Sequence, residues 1–149
     1  SSSCYLGAVL AGASQEHAQA LADYGLNAGI AFQITDDLLD IVGDEQKTGK
    51  TLGSDVDKHK LTLAVIHLLK SVGEQEKETI INSFLAKEDA RHDRSALVKL
   101  LGRHGSLEYA RGRTQEFISA AVGALAGLEE SQARDALVEV ARFMADRAI

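Results

Sequence analysis

The sequence predicts an all-α fold, a single-domain helical bundle, and three observations carry that expectation. Apolar residues recur at helical spacing along nearly the whole chain. Strict apolar–polar alternation over five or more residues occurs nowhere. Proline is absent from all 149 residues, so long stretches can run as uninterrupted helix, punctuated by 13 glycines.

A first short helix is expected over about Cys4 to Ala11, with no capping sequence before it. Ser14 is the expected N-cap of a long helix reaching about Val42, and Glu16 sits in its favourable first turn. Gly43 ends that helix and opens a polar loop to Lys58 that also holds Gly49 and Gly53. A third helix, about Lys60 to Ser71, is apolar at Leu61, Ala64, Val65, Leu68 and Leu69. Helices of about Glu74 to Leu85 and Arg94 to Arg103 follow. Gly105 and Ser106 then read as a C′ glycine and an N-cap in succession. The next helix, to about Leu128, has an apolar stripe at Ala110, Phe117, Ala121, Ala124 and Leu125. Ser131 opens the last, with Leu137, Val140, Ala141 and Met144 facing inward.

The chain is long enough for one domain with its own core. Its formal charge is −6 and its pI about 5.3, which argues against a nucleic-acid binder, because phosphate neutralisation needs a clustered basic face. The single cysteine, Cys4, can form no internal disulfide, and a reducing, cytoplasmic setting is expected. No apolar run approaches the roughly 20 residues of a membrane span. The opening Ser1-Ser2-Ser3 leads at once into a helical apolar pattern. The expectation is a chain cut out of something longer.

The second half of the long helix carries the chemistry. Asp36 and Asp40 lie one turn apart and project to the same side, Asp37 is beside them, and Asp44 continues the ladder. Like charges at this spacing repel, and the helix C-terminus opposes each by about 0.3–1 kcal/mol. No lysine or arginine occurs between Ser1 and Gln46, so nothing nearby in sequence neutralises them. Leu26, Ile30, Ile34, Leu38 and Ile41 cover the other face. A hard divalent cation would relieve the repulsion, because Mg²⁺ takes few carboxylates and shares its remaining positions with water and phosphate oxygens. Lys47, Lys50, Lys58 and Lys60 follow, interleaved with Gly49 and Gly53, and supply matching phosphate-side groups.

Other readings of the same residues exist. A bare Asp-Asp-x-x-Asp is as often a solvated acidic face, and a lysine run is more often a solvated loop. A calcium-binding EF-hand loop fails, since Leu38 and Ile41 stand where a ligand and a glycine are needed. His17, His59, His67, His92 and His104 lack the paired spacing of a zinc site.

Taken together, Gly25-x-x-x-Gly29-x-x-Phe32-Gln33-x-x-Asp36-Asp37-x-Leu39-Asp40-x-x-Gly43-Asp44, then Thr48-Gly49-Lys50-x-Leu52-Gly53-x-Asp55, then Lys60-x-Thr62-Leu63, resembles the trans-isoprenyl diphosphate synthases. The later Gly105-Ser-Leu-Glu-Tyr-Ala-Arg is similar to the family's late helices, so the resemblance covers essentially the whole chain. It implies a helical bundle of the isoprenoid synthase type, with this chain the C-terminal part of a single synthase domain. The implied chemistry is Mg²⁺-dependent condensation of an allylic diphosphate with isopentenyl diphosphate, and dimers are usual for the family. By the same resemblance Asp36, Asp37 and Asp40 are the second aspartate-rich motif, catalytic through the metal they hold, and Asp55 lies near that metal. Lys50 and Lys60 grip the allylic diphosphate, and Phe32 and Gln33 lie along the reacting end of the allylic chain.

The departures are equally specific. The family's first aspartate-rich motif, its isopentenyl diphosphate-binding basic residues and its Lys-Thr pair are absent from these residues. Ala64 stands where the family commonly has proline, and His59 replaces a usual glycine. Two other functions share the helical fold: a non-catalytic subunit of a heteromeric prenyltransferase, and a class I terpene cyclase. Intact Asp36, Asp37, Asp40, Lys50 and Lys60 argue against the first. Three aspartates argue against the second, whose corresponding motif mixes Asn, Ser and Glu.

Overall fold

The computed structural model describes residues 1–43, 60–85 and 94–146, and among these the secondary structure is helical with no strand. In chain order the helices are α1 (Ser2–Leu10), α2 (Gln15–Val42), α3 (Leu63–Ser71) and α4 (Glu74–Ile80). A π-helical stretch, Ile81–Leu85, continues α4, and α5 (Arg94–Arg103), α6 (Ser106–Ala124) and α7 (Gln132–Asp146) follow.

Local chemistry accounts for most boundaries. Gly12, at φ +76°, turns the chain after α1, a conformation that costs a residue without Cβ little. Ser14 caps α2, its Oγ accepting from the His17 N–H at 3.2 Å, and Ser131 caps α7 by accepting from the Arg134 N–H at 3.2 Å. At the start of α1, Ser1 makes no such side-chain bond.

Several boundaries differ from the sequence expectation: α1 runs Ser2–Leu10 rather than Cys4 to Ala11, and α4 ends at Ile80, the π-helical stretch completing the expected span to Leu85. Helix α3 begins at Leu63 rather than Lys60, because Thr62 is its N-cap, extended at φ −70° and ψ 164°. Helix α6 ends at Ala124 rather than Leu128. There the backbone tightens into bonds three residues apart, such as Leu125 N–H to Val122 O at 3.1 Å, and Arg134 Nε donates to the Leu125 carbonyl at 3.1 Å. Ser106 is not a cap. Gly105, at φ +64°, supplies the first carbonyl of α6, which accepts from the Tyr109 N–H at 2.9 Å. Ser106 is fully buried, its Oγ 3.0 Å from His67 Nδ1.

The residues gather into two compact units, Ser1–Thr35 with Gly112–Ile149, and Asp36–Arg111. In the first, Tyr24, Ala28 and Ala31 of α2 meet Ile118 and Ala121 of α6, Leu125, and Ala141 of α7. Leu21, Phe117, Leu137, Val138 and Met144 pack around this cluster, as does Cys4. Val140, expected inward, is 47% exposed, because the stripe of α7 runs through Val138 instead. Leu26, expected on the covered face of α2, is likewise exposed.

In the second unit the core comprises Leu38 and Ile41 of α2, Ala64, Val65 and Leu68 of α3, Ile80 of α4, Leu97 and Leu101 of α5, and Leu107 and Ala110 of α6. Helix α3 packs against α5. His67 projects from α3 and stacks on Tyr109, ring centroids 4.2 Å apart.

Candidate functional site

Burial of Ile34, Leu38 and Ile41, at one-turn intervals, fixes the rotation of the last turns of α2. The same rotation leaves Asp36, Asp37 and Asp40 half-buried, with Asp36 and Asp40 one turn apart. The Gly43 N–H closes the final turn on the Leu39 carbonyl at 2.8 Å.

Lys60 reaches this helix end from 23 residues away in sequence. Its Nζ lies 2.8 Å from Asp37 Oδ1, a direct charged hydrogen bond. The carboxylate side chain keeps only 13% of its surface exposed and the lysine keeps 44%. Between such partners the pair adds at most about 1 kcal/mol to stability, so its importance is placement rather than strength. What places it is Thr62. The Thr62 N–H donates to the Lys60 carbonyl at 3.0 Å, and its buried Oγ1 accepts from the Val65 N–H at 3.4 Å. Behind Thr62, the buried Ala64, Val65 and Leu68 anchor α3.

The motif spacing by itself does not mark Thr62 for this part. The signal that could have found it is a threonine at N-cap position directly before the apolar run of α3.

The sequence-expected residues distribute as follows. Asp36, Asp37 and Asp40 share one helix end, and Lys60 joins Asp37 there. Phe32 and Gln33 stand about one turn earlier on α2, both exposed, Phe32 at 41%. Lys50 and Asp55, with Asp44, Lys47 and Lys58, lie outside the described residues.

The donors at the helix end are all carboxylate oxygens, the chemistry of a hard cation rather than of zinc or copper. Among the described residues no three acidic, histidine or cysteine side chains converge as they would around an ion caged by protein alone. The arrangement fits a cation that takes one or two carboxylates and completes its shell from water and phosphate.

Among the described residues no helix is long and apolar enough to cross a membrane.

Comparison with known proteins bears on the same residues. Residues 1–101 match the polyprenyl synthetase family. The short chain isoprenyl diphosphate synthase of Methanothermobacter thermautotrophicus is 40% identical over 141 residues, 95% of this chain and 43% of that protein. The decaprenyl diphosphate synthase of Rhodobacter capsulatus superposes with a TM-score of 0.86 at 33% identity, covering 97% of this chain and 45% of that one. A polyprenyl synthase from Caulobacter crescentus, solved in complex with calcium and isoprenyl diphosphate, gives a TM-score of 0.87 at 32% identity, covering 97% of this chain and 44% of that one. The chain thus spans less than half the length of these relatives. The all-α fold with an acidic helix end, the match over residues 1–101 and the identity along nearly the whole chain agree: this chain belongs to the polyprenyl synthetase family.

Proposed function

We propose that the complete protein is a Mg²⁺-dependent prenyltransferase that condenses an allylic diphosphate with isopentenyl diphosphate to give a longer polyprenyl diphosphate. The observation that carries this reading is the Lys60 ammonium seated at the aspartate-bearing end of α2, 2.8 Å from Asp37. In it, carboxylates suited to a cation and a lysine suited to a phosphate occupy one place. The calcium and isoprenyl diphosphate in the Caulobacter relative support the pairing of a divalent ion with a prenyl diphosphate.

In this reading Asp36, Asp37 and Asp40 hold Mg²⁺ directly or through water, with Asp55 near it. The metal would offset the negative charge that grows on the departing diphosphate. Lys60 and Lys50 bind the diphosphate oxygens and orient the allylic carbon, and Phe32 and Gln33 flank the reacting end of the chain. The two compact units are read as parts of one domain, and the complete protein as a cytoplasmic homodimer. The single cysteine and the family resemblance support that assignment.

The test is condensation of labelled isopentenyl diphosphate by the full-length protein and its Asp36→Ala variant. The interaction lost grows as the diphosphate leaves, so kcat should fall far more than KM rises. A change confined to KM would remove Asp36 from the chemical step. The 149 residues alone carry one aspartate-rich motif, and turnover by them in isolation would contradict a site that needs two.

A further inference from the structure

The position of Lys60 raises a question of order. One of its three N–H groups is committed to Asp37 Oδ1 at 2.8 Å. An ammonium neutralised in this way is a poor anchor for a diphosphate. A divalent cation on the same carboxylate would stand beside the ammonium as a like charge, in surroundings where only 13% of the aspartate side chain is exposed. The two occupants therefore disfavour each other. The backbone of Lys60 is held through the carbonyl bonded to Thr62, while its four-carbon side chain is 44% exposed. A rotation of the stem moves the charged head without disturbing α3.

We propose that Lys60 and a divalent cation compete for Asp37, and that cation binding releases the Lys60 ammonium to the diphosphate. This rests on the reading of the three aspartates as a cation site. The lysine then acts as a placeholder that makes metal and diphosphate bind in concert. Without cation the anion meets a lysine bonded to Asp37, and with cation it meets one released from that carboxylate. Linkage requires the converse: diphosphate, by drawing Lys60 away, strengthens the hold on the cation.

The experiment is a double-mutant cycle on the full-length protein, with Asp37→Asn, Lys60→Gln and both together, and Lys70→Gln as control. Mn²⁺ alone is titrated by calorimetry and by its electron paramagnetic resonance signal. Lys60→Gln should tighten Mn²⁺ binding by about two- to five-fold, the range of a partly exposed ion pair. In the Asp37→Asn background the same change should have no effect. In a second measurement, the acylation rate of the Lys60 amine is followed by mass spectrometry. It should rise when Mn²⁺ is added and fall again with inorganic pyrophosphate. If Asp37→Asn binds Mn²⁺ as the parent does, the cation-site reading itself fails. If Asp37→Asn loses Mn²⁺ while Lys60→Gln leaves it unchanged or weaker, or if Mn²⁺ leaves Lys60 labelling unaltered, the site stands and the competition is refuted.

Discussion

The phenol of Tyr24 on α2 donates a 2.8 Å hydrogen bond to the backbone carbonyl of Leu137 on α7, joining positions 113 residues apart. Tyr24 is only 4% exposed, so the bond satisfies a polar group inside the core of the first unit. Replacing it by phenylalanine keeps the ring and leaves the Leu137 carbonyl without this donor. A loss of about 1–2 kcal/mol in denaturant unfolding is expected.

The same tyrosine gives a pH dependence. Burial first, and the electrostatic influence of nearby Cys4 second, push its phenol above the ordinary value of 10.0. The folded chain holds that proton more tightly than the unfolded chain. Its contribution is therefore complete below the ordinary value and is lost as pH rises past it toward the folded value. Thermal unfolding followed from neutral pH into the alkaline range should show a decline that is shallower in Tyr24→Phe. Equal slopes would contradict the assignment.

Two glycines on α2 should respond in opposite directions to alanine. A Cβ on Gly25 would meet Cys4 Sγ at 2.6 Å and Cys4 Cβ at 3.1 Å, whereas one on Gly29 meets nothing within 4 Å. Helix propensity alone favours alanine at both by about 1 kcal/mol. Gly29→Ala should gain up to that amount. Gly25→Ala should lose stability by lifting α1, and Cys4→Ala should recover part of the loss. Parallel behaviour of the two glycine variants in denaturant titrations would mean that α1 does not press on Gly25.

Ser106 separates a capping role from a core one. A cap serine replaced by glycine loses only a few tenths of a kcal/mol, less than one replaced by alanine. Ser106 is instead buried and bonded to His67 at 3.0 Å. Ser106→Ala should cost about 1 kcal/mol, and Ser106→Gly should cost more, having lost the bond and gained backbone freedom. The reverse ranking would restore the capping interpretation.

Lysines should divide by position. Lys60→Ala in the full-length protein should weaken binding of an allylic diphosphate in the presence of Mg²⁺ by about 1.5–3 kcal/mol, and Lys50→Ala similarly. Lys70, exposed in the last turn of α3, should change it hardly at all. Inhibition constants for a non-reactive diphosphate analogue provide the comparison, and equal effects at all three positions would reduce the lysines to a general charge effect.

Local rules in the sequence determined much of this protein by themselves. Apolar spacing, the absence of proline and the serines at positions 14 and 131 set helix type and two of the helix starts, because these depend on a residue and its neighbours within one turn. The same spacing put Asp36 and Asp40 on one side of α2, opposite Leu38 and Ile41. Tertiary structure decided the rest. Whether Val140 or Val138 faces the core, whether Ser106 caps or is buried, and how close α1 comes to Gly25 depend on which surfaces meet, and periodicity leaves those open. The plainest case is Asp37. Within the first 46 residues of sequence it has no basic neighbour, and only the placement of Thr62 at the start of α3 carries the Lys60 ammonium to its carboxylate. Coulomb attraction depends on distance in space, and folding alone turns 23 residues of separation into 2.8 Å.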